Sequence, residues 1–179
     1  MRSILAAAVL VCLAPTALLA GDENPFNKSK VGDWVEYKMT GPNVEGKTKM
    51  AIIAKDDKEV TYEVTGSFSF VGKETSAPVQ KIKVDLTKSY DPIIAANLAR
   101  TGTKIEKDGE GAEKIKVGDK EFDTKWTKTK STTTVNGITI VSEHKMWFSK
   151  DVPLSGLVRM DTATGMTTTT MQLIGSGSK

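Results

Sequence analysis

From Val60 to Phe70 every even position is apolar or glycine: Val60, Tyr62, Val64, Gly66, Phe68 and Phe70. Every odd position is polar: Thr61, Glu63, Thr65, Ser67 and Ser69. A helix cannot keep period two over that length, because its side chains return to one face every 3.6 residues; a strand half-buried on one face does. Gly66, in the middle, marks a bend or bulge by which a long strand curls around a core. The same alternation places Val35, Tyr37 and Met39 inward within Asp33–Thr40. It does so for Met50 and Ile52 in the hairpin partner Lys47–Lys55, and for Ile82, Val84 and Leu86 in Lys81–Leu86.

Strand signals resume after residue 102. Thr103–Lys107 and Lys114–Val117 flank a glycine-rich, flexible Asp108–Gly111. Glu121–Val135 is a long polar strand carrying Phe122 and Trp126, and Asn136-Gly137 is a hairpin turn, since both residues tolerate positive φ. Ile138–Ser149 returns with Ile138, Ile140, Met146 and Phe148 on one face, and Leu157–Thr162 with Met166–Ile174 forms a last hairpin. One segment breaks period two. In 91–100, Asp91 is an N-cap, Pro92 takes the first helical position, Ile94 and Leu98 share a face, and Gly102 stops the run. The expected fold is mainly β: an antiparallel curled sheet, half-barrel or barrel, of nine or ten strands with one short helix near 91–100.

The chain opens differently. Arg2 precedes the apolar run Ile4–Ala14, and Ala20-Gly21 supplies small residues, the order of a secretory signal peptide cut after Ala20. Pro15 and Thr16 end the run short of the roughly 20 residues a spanning helix needs. The expected organisation is leader 1–20, a flexible polar lead-in 21–30, one β-rich domain 31–174 and a flexible tail 175–179, with no membrane span in the mature chain. The single cysteine, Cys12, lies in the leader, so the exported domain is expected to have no thiol and no disulfide. Periplasm or extracellular space is the expected destination. Charge is mixed: 25 Lys and Arg against 22 Asp and Glu, net +3. Without a clustered basic face, nucleic-acid binding is not expected.

Candidate chemistry is sparse. His144, the only histidine, falls on the inward face and lacks the cysteine and histidine partners of a zinc site, so no metal or other cofactor is expected. Ser155 sits in Pro-Leu-Ser-Gly, not in the Gly-x-Ser-x-Gly turn of hydrolases. The acids alternate with lysines on outward faces. The lysines between Lys114 and Lys130, around Trp126, suit edge protection better than anion binding. No catalytic motif emerges, and a non-enzymatic role is expected.

Met146-Trp147-Phe148-Ser149, Val152-Pro153-Leu154 and Leu157–Met160 together resemble the lipoprotein-carrier (LolA/LppX-like) half-barrel family, in which an aromatic-bearing strand bends through a proline into the next strand. The likeness covers the mature chain in outline and residues 143–162 in detail. No arginine here matches the one associated with lid control in those carriers. The resemblance implies an exported carrier sheltering an apolar ligand, lipid or acyl chain. The residues point the same way on their own: a curled sheet under the 91–100 helix would enclose a hollow lined by Tyr62, Phe68, Phe70, Ile82, Val84, Ile94, Leu98 and Met146, with Met39, Met50 and Met160 suited to an adaptable wall. The alternative is a structural or interaction module of the cell envelope with a filled core and an envelope protein as partner.

Overall fold

The computed structural model describes residues 24–90, 103–135 and 137–178; the leader and the 91–100 helix lie outside the described residues. A 3-10 turn, Pro25–Lys28, leads into nine strands: β1 (Trp34–Gly41), β2 (Val44–Lys55), β3 (Glu59–Phe70), β4 (Lys73–Asp85), β5 (Thr103–Val117), β6 (Lys120–Val135), β7 (Ile138–Phe148), β8 (Leu157–Thr164) and β9 (Thr167–Gly177). They form one antiparallel sheet in the order β4-β3-β2-β1-β9-β8-β7-β6-β5. The sheet is not closed. Its edges carry lysines (Lys73, Lys81 and Lys83 in β4; Lys104, Lys107, Lys114 and Lys116 in β5) and, in the middle of β4, Pro78, which discourage pairing with another chain.

Alternation becomes burial along one face. Val35, Tyr37, Ile52, Val60, Tyr62, Val158 and Leu173 are buried in the core cluster, with Met50, Val64, Ile82, Val84 and Met171 packed against it. Gly66 sits where the pairing of β3 with β4 slips by a residue, as its place in the sequence suggests.

Three boundaries differ from the hydrophobic pattern. Asp108–Gly111, expected as a flexible break, lies inside β5, which bulges between Lys107 and Gly109 and continues. The reason is across the strand: a Cβ on Gly111 would stand 2.8 Å from the indole of Trp126, so the glycine makes room for a packed ring rather than a loop. β9 runs through Gly177, which pairs with Trp34, beyond where its apolar residues end. β4 begins at Lys73, well before the alternation of 81–86, in a stretch almost entirely exposed.

Trp126 belongs to a ladder on the opposite face. The Lys145 ammonium lies 4.4 Å from the Trp126 ring centre and 4.6 Å from that of Trp147. Glu113 accepts from Lys145 Nζ at 2.8 Å and from Trp147 Nε1 at 2.6 Å. These bonds, Lys145's first, hold the Glu113 carboxyl below the usual range. Lys128 pairs with Asp108 at 2.8 Å and Glu143 at 3.0 Å. Lys145 and Lys128 are thus answered by acids across the strands, which suits cross-strand stabilisation of the sheet.

The β3–β4 turn has two central residues with positive φ, Val71 at 51° and Gly72 at 76°. That is the type I′ pattern, which favours Asn, Asp or Gly at the first position. A β-branched residue there is strained. Val71→Asn is expected to stabilise the protein by about 1 kcal/mol, measured by urea denaturation.

Candidate functional site: a methionine-lined apolar pocket

Direct pairing across strands fixes which side chains share a face. Met146 of β7 pairs with Met160 of β8, Met160 with Met171 of β9, and Met171 with Met39 of β1. Four adjacent strands thus present a row of methionines on the core-bearing face. The neighbouring row toward the β8–β9 turn is polar: Thr129, His144 and Thr162 are paired in sequence across β6, β7 and β8.

Beside the methionine row is a pocket of about 70 Å³. Met50 and Tyr62 line it from β2 and β3, Met146 and Phe148 from β7, Leu157 and Met160 from β8, and Met171 from β9. In a flat sheet β3 and β7 would stand about 24 Å apart, five strand spacings. That Tyr62 and Phe148 line one pocket shows how far the sheet curls.

Phe26, Tyr90 and, from the β7–β8 bend, Ser155 complete the lining from outside the sheet. The Phe26 ring stacks on Tyr62, centroids 5.6 Å apart, and meets Tyr90 edge-on at 5.3 Å. The turn carrying Phe26 is held from three sides. Lys55 Nζ donates to the carbonyls of Phe26 (3.1 Å), Asn27 (2.7 Å) and Ser29 (2.7 Å). Asn24 donates to the carbonyls of Asp85 and Lys88, and Ser29 Oγ accepts from the Leu154 amide at 3.0 Å. Phe26 is 2% exposed. Tyr37, beneath, donates to the Leu157 carbonyl at 3.0 Å, and burial pushes its phenol pKa up; burial raises that of Tyr62 as well.

Of the residues expected to line a ligand cavity, Tyr62 and Met146 lie on the wall of this small pocket. Ile82 and Val84 pack against the core cluster without reaching the pocket. Phe68 packs toward the far end of β3, where a Cβ on Gly46 would stand 2.5 Å from its ring. Phe70 is 65% exposed near the β3–β4 turn, away from this pocket. Ile94 and Leu98 lie outside the described residues. A larger, more open cleft of about 260 Å³ lies where the β5–β6 turn approaches Lys38 and Gln172, and it is of mixed polarity.

His144 is buried, with Ser131 Oγ 3.0 Å from Nε2 and Thr162 Oγ1 3.1 Å from Nδ1. Thr129 Oγ1, opposite it, is buried without a hydrogen-bond partner among the described residues. Burial lowers the His144 pKa from its ordinary 6.5. The unfolded chain therefore takes up this proton at a higher pH than the folded one. Stability from this group is complete above about pH 6.5, declines as pH falls below it, and levels off once the folded pKa is passed. His144→Gln is expected to flatten that acid limb in denaturation curves measured across the window.

Among the described residues no three His, Cys, Asp or Glu side chains gather as a metal site would require, and no helix is long and apolar enough to cross a membrane. No protein-family model matches the chain, and no curated protein matches it. A solved structure from Bacteroides fragilis, of a protein inferred to be exported and described as having a YmcC-like fold, is similar. Its TM-score is 0.54 at 9% identity, over 84% of this chain and 97% of that one. At that identity the likeness is one of fold: this chain has the β-rich architecture of that exported-type protein.

Proposed function

We propose that the protein is exported and non-catalytic, and that it binds an apolar group, such as one end of a lipid or acyl chain, against the methionine row. The leader-like start of the chain and its likeness in fold to a protein inferred to be exported support the first half. The observation that carries the second is the alignment of Met146, Met160, Met171 and Met39 beside an aromatic-walled pocket. Unbranched thioether side chains re-pack around differently shaped apolar groups at little cost. Ser155, which lines the same pocket, supplies a hydroxyl for a polar substituent.

Size decides what enters. About 70 Å³ is well short of the roughly 300–1,000 Å³ of pockets that engulf whole small molecules. A ligand is therefore seated by one end, and a longer one displaces methionine side chains. A fluorescent fatty-acid probe is expected to bind saturably and to be displaced by unlabelled fatty acid. Met160→Trp, which fills the pocket, is expected to weaken binding at least about tenfold. The small pocket also favours an alternative, a module with a filled core that works through its surface. Absence of saturable probe uptake, with the protein folded, would leave that alternative standing.

A further inference from the structure

In a chain with 26% charged residues, three long stretches of the sheet carry none: Val64–Gly72, Ser131–Ser142 and Thr162–Ser178. The antiparallel order brings the β3–β4, β6–β7 and β8–β9 turns within them to one end of the sheet, together with the uncharged Pro42-Asn43 of the β1–β2 turn. Turns ordinarily expose polar side chains. Here Phe70 is 65% exposed, Val71 72%, Ile138 67% and Met166 105%. The turns at the other end are charged: Asp56-Asp57-Lys58, Asp119-Lys120 and Lys150-Asp151.

Val71 sharpens the contrast. It occupies a left-handed position where Asn or Gly folds more easily, yet is almost wholly in water. A strained, exposed apolar residue has no folding rationale and points to a task at the surface. Its amide bonds the Asn43 carbonyl at 3.0 Å, tying neighbouring hairpin ends together.

We infer that this end of the sheet rests on a lipid bilayer, with Phe70, Val71, Ile138 and Met166 entering the boundary between headgroups and acyl chains. Neighbouring hairpins stand about 10 Å apart, two strand spacings, so the apolar groups are separate points rather than one continuous face. A bilayer accepts separate points because it deforms around each, whereas a protein partner would need a matching pocket for every one. The threonine and serine hydroxyls around the tips can hydrogen-bond within the headgroup layer. The turn residues themselves carry no charge, which lowers the desolvation cost of approaching the hydrocarbon, while Lys73, Glu45 and Lys104, a step or two back along the strands, face the headgroup layer. This inference is independent of the pocket.

The test uses the protein recovered after export, with Cys12→Ser as background and an environment-sensitive fluorophore on Met166→Cys. A control carries the fluorophore on Asp57→Cys at the charged end. With pure phosphatidylcholine vesicles in high salt, the label at 166 is expected to shift to the blue and the label at 57 to stay unchanged, since the contact is apolar and not screened. Phe70→Ser with Ile138→Ser and Met166→Ser, all at exposed turns, is expected to lower vesicle co-sedimentation at least about tenfold. Val71→Asn is expected to weaken it while raising stability, a split that a purely structural role does not produce. No shift at 166, equal shifts at both positions, or undiminished sedimentation of the triple variant would overturn the inference. So would concentration-dependent self-association that the triple variant abolishes while vesicles are ignored.

Discussion

Phe26→Ala is expected to destabilise the protein by about 3–5 kcal/mol, the range for removing a buried aromatic side chain. That is a large part of the roughly 5–15 kcal/mol a domain of this size holds in reserve. Phe26 is 2% exposed, stacks on Tyr62 and touches Tyr90, and its backbone is anchored through Lys55. The surrounding strands cannot collapse into the gap, because the turn is fixed at the ends of β2 and β4 and at the β7–β8 bend. The truncation therefore enlarges the pocket that Phe26 lines. Some of the lost stability is expected to return when a small apolar compound such as benzene is added, since a ligand that binds only the folded state stabilises it. Thermal denaturation with and without the compound measures both effects. A loss below about 1 kcal/mol would show that the turn is not part of the core.

Gly66→Val is the second large effect. A Cβ at this position would stand 2.6 Å from the Lys47 carbonyl oxygen and 3.2 Å from Thr48 Oγ1. The first of these is backbone in the neighbouring strand, so relief requires moving β2 away from β3. A cost of about 3 kcal/mol is expected, with overpacking and a disturbed bulge both contributing. Denaturant unfolding gives the number. Gly137→Ala, at a position where a Cβ meets nothing within 4 Å, is a comparison in which only the backbone conformation is strained.

Gly66 also shows what a sequence reveals about such a sheet. Its place within an otherwise unbroken alternation is visible because the pattern is local, and the slip in pairing of β3 with β4 lies beside it. Alternation likewise assigns Tyr62 and Met146 to the inner face. It gives the side on which a residue points, but not how far along the strand the core extends. Phe70 obeys the same parity as Tyr62 and is nevertheless 65% exposed, because β3 runs past the packed region. Phe26 is hidden for a different reason. It is one aromatic in a polar run with no period, and its partners lie far along the chain.

The methionine row depends on the same long-range information. Met39, Met146, Met160 and Met171 come to one level only through the registers of β1 with β9, β9 with β8 and β8 with β7. The two-residue turn sets β8 against β9, but β1 meets β9 from the far end of the chain, and no local pattern sets that register. Asp108–Gly111 misleads in the opposite sense, since its composition suits a loop, while the indole of Trp126 across the strand makes its glycines part of a sheet. Pairing partners, more than propensities, separate the strand pattern from the site.

The methionines also provide the most direct test of the pocket. The chain has seven, and isotopic labelling of their methyl groups gives each its own nuclear magnetic resonance signal. Met166, 105% exposed at the β8–β9 turn, serves as an internal reference. On titration with octanoate below its micelle concentration, the Met146, Met160 and Met171 signals are expected to move together and saturate, while Met166 stays in place. No movement of the three, or movement matched by Met166, would contradict binding of an apolar group against the methionine row.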